Sequence, residues 1–336
     1  MKKTFALAAV ATVALVGAAE AREQIRIVGS STVFPFTSTS AENFGQMSSF
    51  QSPVVESTGT GGGMKLFCEG VGVDTPDITG ASRAMKSGEF EMCQTNGVTE
   101  IVQLKIGSDG IAFAHSKEGT SFDISRAQLW LALAADVPLN GELVANPYNT
   151  WADIDASFPD IDIEVLGPPP TSGTRDAWVE LVMEEGCEAF PEVTAADNMD
   201  DLCTTFREDG AFIEAGENDN LIVQKLQANP NAFGIFGFSF LDQNFDVLKG
   251  NKIEGVEAGF ETIADGSYPV ARPLFVYLKS AHVGVIPGLS EFVAELTSEN
   301  ALGDDGYLID KGLIPLPAGD RSALRTSATE LTPFGG

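Results

Sequence analysis

The sequence has few histidines and few positive charges. Its 336 residues include two histidines, and 20 Lys and Arg stand against 48 Asp and Glu, which gives a formal net charge of −28. His115 and His282 alone cannot form a histidine-rich metal site, and so small a number disfavours a histidine-based catalytic triad. An acidic chain also repels nucleic-acid phosphates, and no basic cluster offsets that repulsion, so we expect no nucleic-acid partner.

After residue 21 the sequence contains no run of about 18 consecutive apolar residues, so we expect no membrane span. The first 21 residues have the pattern of a secretory signal peptide. They begin with Lys2 and Lys3, continue with an apolar run over residues 5–18, and end in a small-residue A-x-A site at residues 19–21. We therefore expect residues 1–21 to be removed during export and the mature chain to be a soluble periplasmic protein.

Cysteine is scarce as well, and the four cysteines are Cys68, Cys93, Cys187 and Cys203. None of them forms a C-x-x-C pair, which disfavours zinc binding and redox catalysis. An even number of cysteines in an exported chain indicates disulfide bonds. Three pairings are possible, and we favour the local one, Cys68 with Cys93 and Cys187 with Cys203, which closes the shortest loops.

Apolar residues make up 43% of the chain, enough for a large buried core. Short β-branched runs alternate with helical patterns, which is typical of the α/β class. The predicted strands are residues 25–28, 54–55, 101–106, 161–166, 235–238 and 274–278. The predicted helices are residues 36–47, 64–69, 125–135, 176–185, 220–228 and 289–298. Because parallel strands in such folds bind ligands at their carboxyl ends, the loops between strands and helices matter most.

The first such loop spans residues 29–35 and reads GSSTVFP. Its glycine permits a turn, hydroxyl side chains line it, and Pro35 suits the first turn of a helix, where its missing N–H is not needed. The free N–H groups and the positive dipole end of that helix would form an anion site. Ordinary helix capping by Ser and Thr is the alternative interpretation.

The second loop, residues 57–63, has four glycines within five residues. It matches neither the phosphate loop G-x-x-x-x-G-K-[ST] nor the dinucleotide fingerprint G-x-G-x-x-G, so nucleotide binding is disfavoured. Its glycines would let backbone N–H groups approach a small ligand closely. A flexible hairpin without a ligand is the alternative.

The third loop spans residues 167–176, follows a predicted strand and precedes a helix. Arg175 falls in the first helical turn, where a cation meets the positive end of the helix dipole, so a negative group is expected beside it. Asp176 or Glu180 could be that group. The other candidate is a bound anion held by Arg175 with Ser172, Thr174 and the backbone N–H of Gly173.

Together the three loops predict one pocket lined by hydroxyls, glycine N–H groups and arginine. Such a pocket suits a dehydrated tetrahedral oxyanion, because each lone pair removed from water needs a donor. It lacks the nucleophile–base pair or metal ligands that turnover would require. We therefore expect a binding protein rather than an enzyme, with neither cofactor nor metal.

Four stretches, IRIVGSSTVFPF, ESTGTGGGMKLFCEG, DITGASRAM and GPPPTSGTRDAW, resemble the periplasmic phosphate-binding proteins of phosphate ABC transporters. The resemblance covers most of the chain after residue 21. It implies an α/β, two-lobed, type II periplasmic-binding-protein-like fold in which each lobe is a mixed sheet flanked by helices. Lobe 1 would consist of residues 22–110 and the return segment 267–336, and lobe 2 of residues 111–266. Closure would occur at a hinge near residues 107–112 and 264–272.

The resemblance implies a monomer that captures inorganic phosphate between its lobes and delivers it to an ABC permease in the membrane. A receptor for sulfate, arsenate or molybdate is the first alternative, and a secreted phosphoester hydrolase is the second. The residues carried over or adjoining those motifs, which form the predicted phosphate site, are Ser31, Thr32, Val33, Thr60, Ser82, Arg83, Ser172, Gly173, Thr174 and Arg175.

The sequence departs from the family pattern at two positions. Arg83 stands where many members have an aspartate that accepts the proton of hydrogen phosphate, and prolines replace an arginine before the S-G-T loop. Discrimination between phosphate and sulfate is therefore open, and Asp109 or Asp176 could supply the missing acceptor. Arg83 could instead form an ion pair with an acid such as Asp77 or Glu89.

Overall fold

The computed structural model describes residues 22–216 and 219–335, so the predicted signal peptide lies outside the described residues. The strands are β1 (Arg26–Gly29), β2 (Val54–Ser57), β3 (Ile78–Ala81), β4 (Ile101–Ser116), β5 (Asp123–Ile124), β6 (Asp136–Leu139), β7 (Glu142–Ala145), β8 (Val165–Gly167), β9 (Phe212–Glu214), β10 (Phe233–Gly237), β11 (Leu248–Gly250), β12 (Lys252–Ile253), β13 (Val256–Glu257) and β14 (Ala271–Lys279).

The helices are α1 (Phe34–Met47), α2 (Thr60–Phe67), α3 (Ser87–Thr95), α4 (Arg126–Leu133), α5 (Trp151–Ile154), α6 (Gly173–Trp178), α7 (Glu185–Cys187), α8 (Pro191–Thr194), α9 (Met199–Thr204), α10 (Asp219–Ala228), α11 (Phe238–Gln243), α12 (Phe260–Ala264), α13 (Leu289–Leu296), α14 (Glu299–Leu302) and α15 (Ala318–Glu330). A π-helical segment, Val179–Glu184, joins α6 to α7, and short 3₁₀ turns lie at Ser280–His282 and Ile309–Lys311.

The main sheet has the strand order β2-β1-β3-β14-β4-β10-β8-β9, with β11 paired to β4. The strands β2, β1 and β3 are parallel, and so are β10, β8 and β9. Between these groups β14 runs antiparallel to β3 and β4, and β10 runs antiparallel to β4. The chain is therefore an α/β protein with mixed sheets, as predicted.

Strand β4 is longer than the predicted strand and connects the two halves of the sheet. Residues 101–110 pair with β14, and residues 111–116 pair with β10 and β11. The predicted hinge near residues 107–112 lies inside this strand, where cross-strand pairing with residues 271–274 keeps residues 107–110 extended. Two adjacent strands thus carry the chain between the halves.

The strand predicted at residues 161–166 begins only at Val165. Before that point the backbone bonds to residues 149–151 instead of the sheet: the Ile163 N–H donates to the Asn149 carbonyl over 2.8 Å. The β-branched pattern predicted an extended segment but could not show which partner its backbone takes.

The buried apolar residues form separate clusters. One cluster consists of residues between 111 and 270 together with Ile314. Two others consist of residues from 25–106 and from 274 onward. The predicted lobe boundaries stay a prediction, which this division of the core supports. We use lobe 1 and lobe 2 below for the predicted ranges.

Both disulfides join the cysteines that the local pairing predicted. Cys68 at the end of α2 bonds to Cys93 in α3, and Cys187 bonds to Cys203 in α9. The sequence separations are 25 and 16 residues. A loop of this size stabilises the fold by about 3 kcal/mol in the chain-entropy account.

Lys279, at the end of β14, is fully buried. Its Nζ donates to the Gly70 carbonyl over 2.7 Å and to Thr75 Oγ1 over 2.8 Å. Burial lowers the pKa of Lys279 from its ordinary value to about 8, although the Asp77 carboxylate acts in the opposite direction. The folded chain therefore holds fewer protons than the unfolded chain between about pH 8 and the ordinary lysine pKa.

Because the unfolded state binds the extra proton in that range, Lys279 should make the free energy of unfolding rise with pH, by about 2 kcal/mol between pH 8 and 10. Urea unfolding across this range should show a free energy of unfolding that rises less with pH in Lys279→Met than in the wild type, by that amount. The exposed Lys117→Met should keep the wild-type slope. An unchanged slope in the Lys279 variant would refute the assignment.

Candidate functional site

The first loop is fixed against β3 by a glycine contact. Gly29, at the end of β1, has φ +129°, and a Cβ there would lie 2.2 Å from the Gly80 carbonyl oxygen. The Ser30 N–H donates to that same oxygen over 3.0 Å. Helix α1 then begins at Phe34 with Pro35 in its first turn, as the sequence predicted. Only glycine can bring β1 and β3 this close at the start of the loop.

The second loop is shorter than predicted, because α2 begins at Thr60 and takes Gly61, Gly62 and Gly63 into its first turn. A Cβ on Gly63 would lie 2.4 Å from the Gly29 Cα, so the glycine-rich turn packs directly on the first loop. Thr60 Oγ1 lies 3.1 Å from Ser82 Oγ and accepts the Ser82 N–H over 3.3 Å. These contacts bring three predicted segments of lobe 1 together.

The third loop reaches the first loop from lobe 2. A Cβ on Gly173 would lie 3.0 Å from the Ser31 carbonyl oxygen and 3.3 Å from the Thr32 Cα. The Ser31 hydroxyl also donates to Asp176 Oδ2 over 2.5 Å. Segments about 140 residues apart in sequence are therefore in contact across the boundary between the two lobes.

Ser172 caps helix α6 from its N-terminal end. Its Oγ accepts the Thr174 N–H over 3.2 Å. This is the ordinary capping interaction that satisfies one free N–H of a first helical turn. The capped turn holds the S-G-T backbone where it meets the first loop.

The two predicted arginines have protein partners. Arg83 donates to both carboxylate oxygens of Glu89, over 2.9 and 2.8 Å, which is one of the ion pairs left open by the sequence. The guanidinium carbon of Arg175 lies 3.6 Å from the centre of the Phe206 ring, and its Nη1 donates to the Pro168 carbonyl over 3.1 Å. Burial lowers the pKa of Arg175. Their roles as anion ligands stay predictions.

Sequence reasoning missed Arg272, which lies in β14 and is 5% exposed. Its guanidinium donates to Thr32 Oγ1 in the first loop and to Glu180 of lobe 2. Its Nε lies 3.7 Å from Asp109 Oδ2. A single arginine inside a predicted strand carries no sequence signal for a functional site. Only the strand register that places Arg272 opposite Asp109 could have indicated that Arg272 belongs to the site.

Asp109 is buried on β4 beside this guanidinium. Burial raises the pKa of its carboxyl group, and the charge of Arg272 opposes that rise. Asp176, the other predicted proton acceptor, accepts the Ser31 hydroxyl. Asp176 therefore contacts the first loop directly, and Asp109 lies beside Arg272, which itself contacts the first loop.

The arrangement offers hydrogen-bond donors and a buried guanidinium. Both histidines bond elsewhere, His115 to Ser121 Oγ over 2.9 Å and His282 to Asp77 over 2.6 Å. Within residues 22–216 and 219–335, no group of three or more His, Cys, Asp or Glu side chains could hold a metal ion. In the same ranges no helix is long and apolar enough to cross a bilayer.

The chain matches the family model of a PBP superfamily domain over residues 16–300, and it belongs to that superfamily. It is 29% identical to Protein SphX of Synechococcus elongatus over 297 residues, which covers 86% of this chain and 77% of the relative. It is 27% identical to the phosphate-binding protein PstS of Staphylococcus saprophyticus over 298 residues, which covers 87% of this chain and 80% of the relative.

Solved structures agree with this assignment. The crystal structure of a possible phosphate-binding protein from Planctomyces limnophilus is 27% identical with a TM-score of 0.73, covering 92% of this chain and 98% of that chain. PstS from Borrelia burgdorferi, at 17% identity, supports the fold alone with a TM-score of 0.60 and covers 88% and 100% of the two chains. The predicted fold class and the resemblance to phosphate-binding proteins are confirmed.

The close approach at Gly29 generates a stability prediction. Gly29→Ala would place a methyl group against the Gly80 carbonyl and should lower the free energy of unfolding by about 3 kcal/mol or more. Gly97→Ala is the matched control, because Gly97 has φ +83° at the end of α3 with nothing within 4 Å of a built Cβ and should cost only about 1 kcal/mol. Urea unfolding measures both, and equal losses would contradict the close-packing account.

Proposed function

We propose that this chain captures inorganic phosphate in the cleft between its lobes and delivers it to an ABC permease. In this proposal it acts as a periplasmic monomer after removal of residues 1–21. The observation that supports the proposal most directly is the packing of Gly173 against Ser31 and Thr32, in which the first and third loops meet. Membership in the PBP superfamily and the relative named as a phosphate-binding protein support it.

The proposed ligand shell combines side-chain hydroxyls with backbone N–H groups and guanidinium groups. Dehydrated phosphate needs a donor for each oxygen lone pair taken out of water, and these groups supply donors from several directions. The proposed phosphate ligands are those predicted from the sequence: Ser31, Thr32, Val33, Thr60, Ser82, Arg83, Ser172, Gly173, Thr174 and Arg175.

Capture would couple to movement of the lobes. The chain passes between them in the paired strands β4 and β14, near residues 107–110 and 271–274. Bending there changes the distance between the first loop and the S-G-T loop without breaking hydrogen bonds inside either. Phosphate that contacts both lobes would then favour the closed arrangement by its greater affinity for it.

The strongly acidic chain is compatible with anion capture. At physiological ionic strength a surface charge acts over about 8 Å, whereas hydrogen bonds in a dry cleft act at contact. We also expect binding without turnover, because the hydroxyls and backbone amides of the proposed ligand shell stabilise a bound oxyanion but supply no activated nucleophile. We therefore propose a transport protein and no enzymatic activity.

Thr60 links the glycine-rich turn to Ser82, so Thr60→Val should weaken phosphate binding. Loss of one ligand hydrogen bond costs on the order of 1–3 kcal/mol, or roughly 5- to 150-fold in Kd. Titration calorimetry measures this loss. Thr326→Val, on the exposed face of α15, is the matched control and should bind as the wild type does. Equal affinity in the Thr60 variant would remove the glycine-rich turn from the site.

Anion selectivity tests the proposal as a whole. The mature chain, refolded from denaturant in phosphate-free buffer, should bind phosphate at least tenfold more tightly than sulfate in competitive calorimetry. Native mass spectrometry of protein purified without refolding should show a bound mass close to that of phosphate. Tighter sulfate binding would contradict the phosphate assignment, and sustained hydrolysis of a chromogenic phosphate ester would show an enzyme.

A further inference from the structure

Arg175, Arg207, Arg272 and Arg321 are the arginines that are less than a tenth exposed in the described parts of the chain. Arg207 and Arg321 pair with carboxylates of their own lobe. Arg175 lies against aromatic rings of the lobe 2 core. Arg272 differs from these three because it donates to a hydroxyl of the first loop and to a residue of the opposite lobe.

The guanidinium of Arg272 has spare hydrogen-bonding capacity. Its Nη2 donates to Thr32 Oγ1, but its Nε is buried and has no hydrogen-bond partner. The Asp109 carboxylate lies 3.7 Å from that Nε, which is ion-pair distance and too long for a hydrogen bond. A buried donor without an acceptor is unfavourable, so an acceptor oxygen beside Thr32 would satisfy it.

The position of Arg272 is set by the sheet. It lies directly opposite Asp109 in the antiparallel pairing of β14 with β4, where both strands pass between the lobes. Ladder hydrogen bonds on each side hold this part of the backbone. A planar guanidinium fixed in this way can donate two parallel N–H bonds to one oxyanion, which a flexible lysine cannot do.

Glu180 reaches the same guanidinium from lobe 2, accepting a hydrogen bond from its Nη1. One helical turn earlier, Asp176 accepts the hydroxyl of Ser31. Residues four apart share one helix face, so this face of lobe 2 presents two carboxylates to donors of the first loop and its neighbour. These carboxylates bind the same kinds of donor that an oxyanion would use.

We propose that Arg272 is a further oxyanion-binding residue of the interlobe site and that Glu180 competes with the bound oxyanion for it. This inference rests on the proposed function and adds to its ligand set. Arg272 supplies a desolvated positive charge at the point where the lobes meet. Glu180 offsets part of that charge, so the affinity for the oxyanion is lower than the guanidinium alone would give.

Titration calorimetry with inorganic phosphate tests the role of Arg272. Arg272→Gln should weaken binding more than 30-fold, and Arg272→Lys, which keeps the charge and most of the buried stem, should weaken it at least fivefold. Arg325→Gln, which removes an arginine of lobe 1 paired with Glu299 at the surface, is the matched control and should stay within twofold of wild type. Wild-type affinity in both Arg272 variants would overturn the proposal.

Glu180→Gln distinguishes competition from a structural link between the lobes. It should tighten phosphate binding three- to tenfold, because the competing charge is gone. Glu184→Gln removes the same charge one turn further along the same helical segment and should change affinity less than twofold. Weaker binding in Glu180→Gln would overturn the competitor role and show that the ion pair supports closure.

The wild-type titration separates this inference from the proposed function. A wild-type chain that binds sulfate but not phosphate would overturn the phosphate assignment, and the same variants titrated with sulfate would still decide the role of Arg272. A wild-type chain that binds neither anion would overturn both proposals.

Discussion

The pairing of β4 with β14 is the constraint on which the site depends. These adjacent strands carry the chain past the boundary between its cores, and their register sets Asp109 against Arg272 at that boundary. Loops from lobe 1 and from lobe 2 meet beside this pair, at Ser31 and Gly173. In the proposed hinge motion, a small bend of these two extended strands would alter the separation of the loops, while each loop keeps its own internal bonds.

Features with a local cause were predictable from sequence. Hydroxyls before a proline marked the start of α1, because Pro35 fits a first helical turn whose N–H groups have no partner, whereas the helix predicted at residues 176–185 begins earlier, at Gly173 after the Ser172 cap. The extent of α2 was underestimated, since glycines favour loops unless packing compels them into a helix. Here the absence of a side chain on Gly63 allows the contact with Gly29 that holds this turn.

Features that depend on distant partners were not predictable. Strand β3 reads ITGA, too short and too small to stand out, yet all four residues are buried in the middle of the sheet. Arg272 can be identified as a candidate site residue only from its contacts with Thr32, Asp109 and Glu180, which are distant in sequence and are brought close to it by the fold. From the sequence, the partner of Arg83 could be a bound anion or an acidic side chain. The observed contact with Glu89 depends on the path of the backbone before α3, which sequence pattern does not determine.

Each disulfide joins a cysteine to the next cysteine along the chain, and each lies within one lobe. A polypeptide translocated from its N-terminus would present these partners in the order in which they pair. Oxidation during emergence would then give the native bonds directly, with no reshuffling by an isomerase. In a chain exported as proposed, the first bond would close before the predicted return segment of lobe 1 has crossed the membrane.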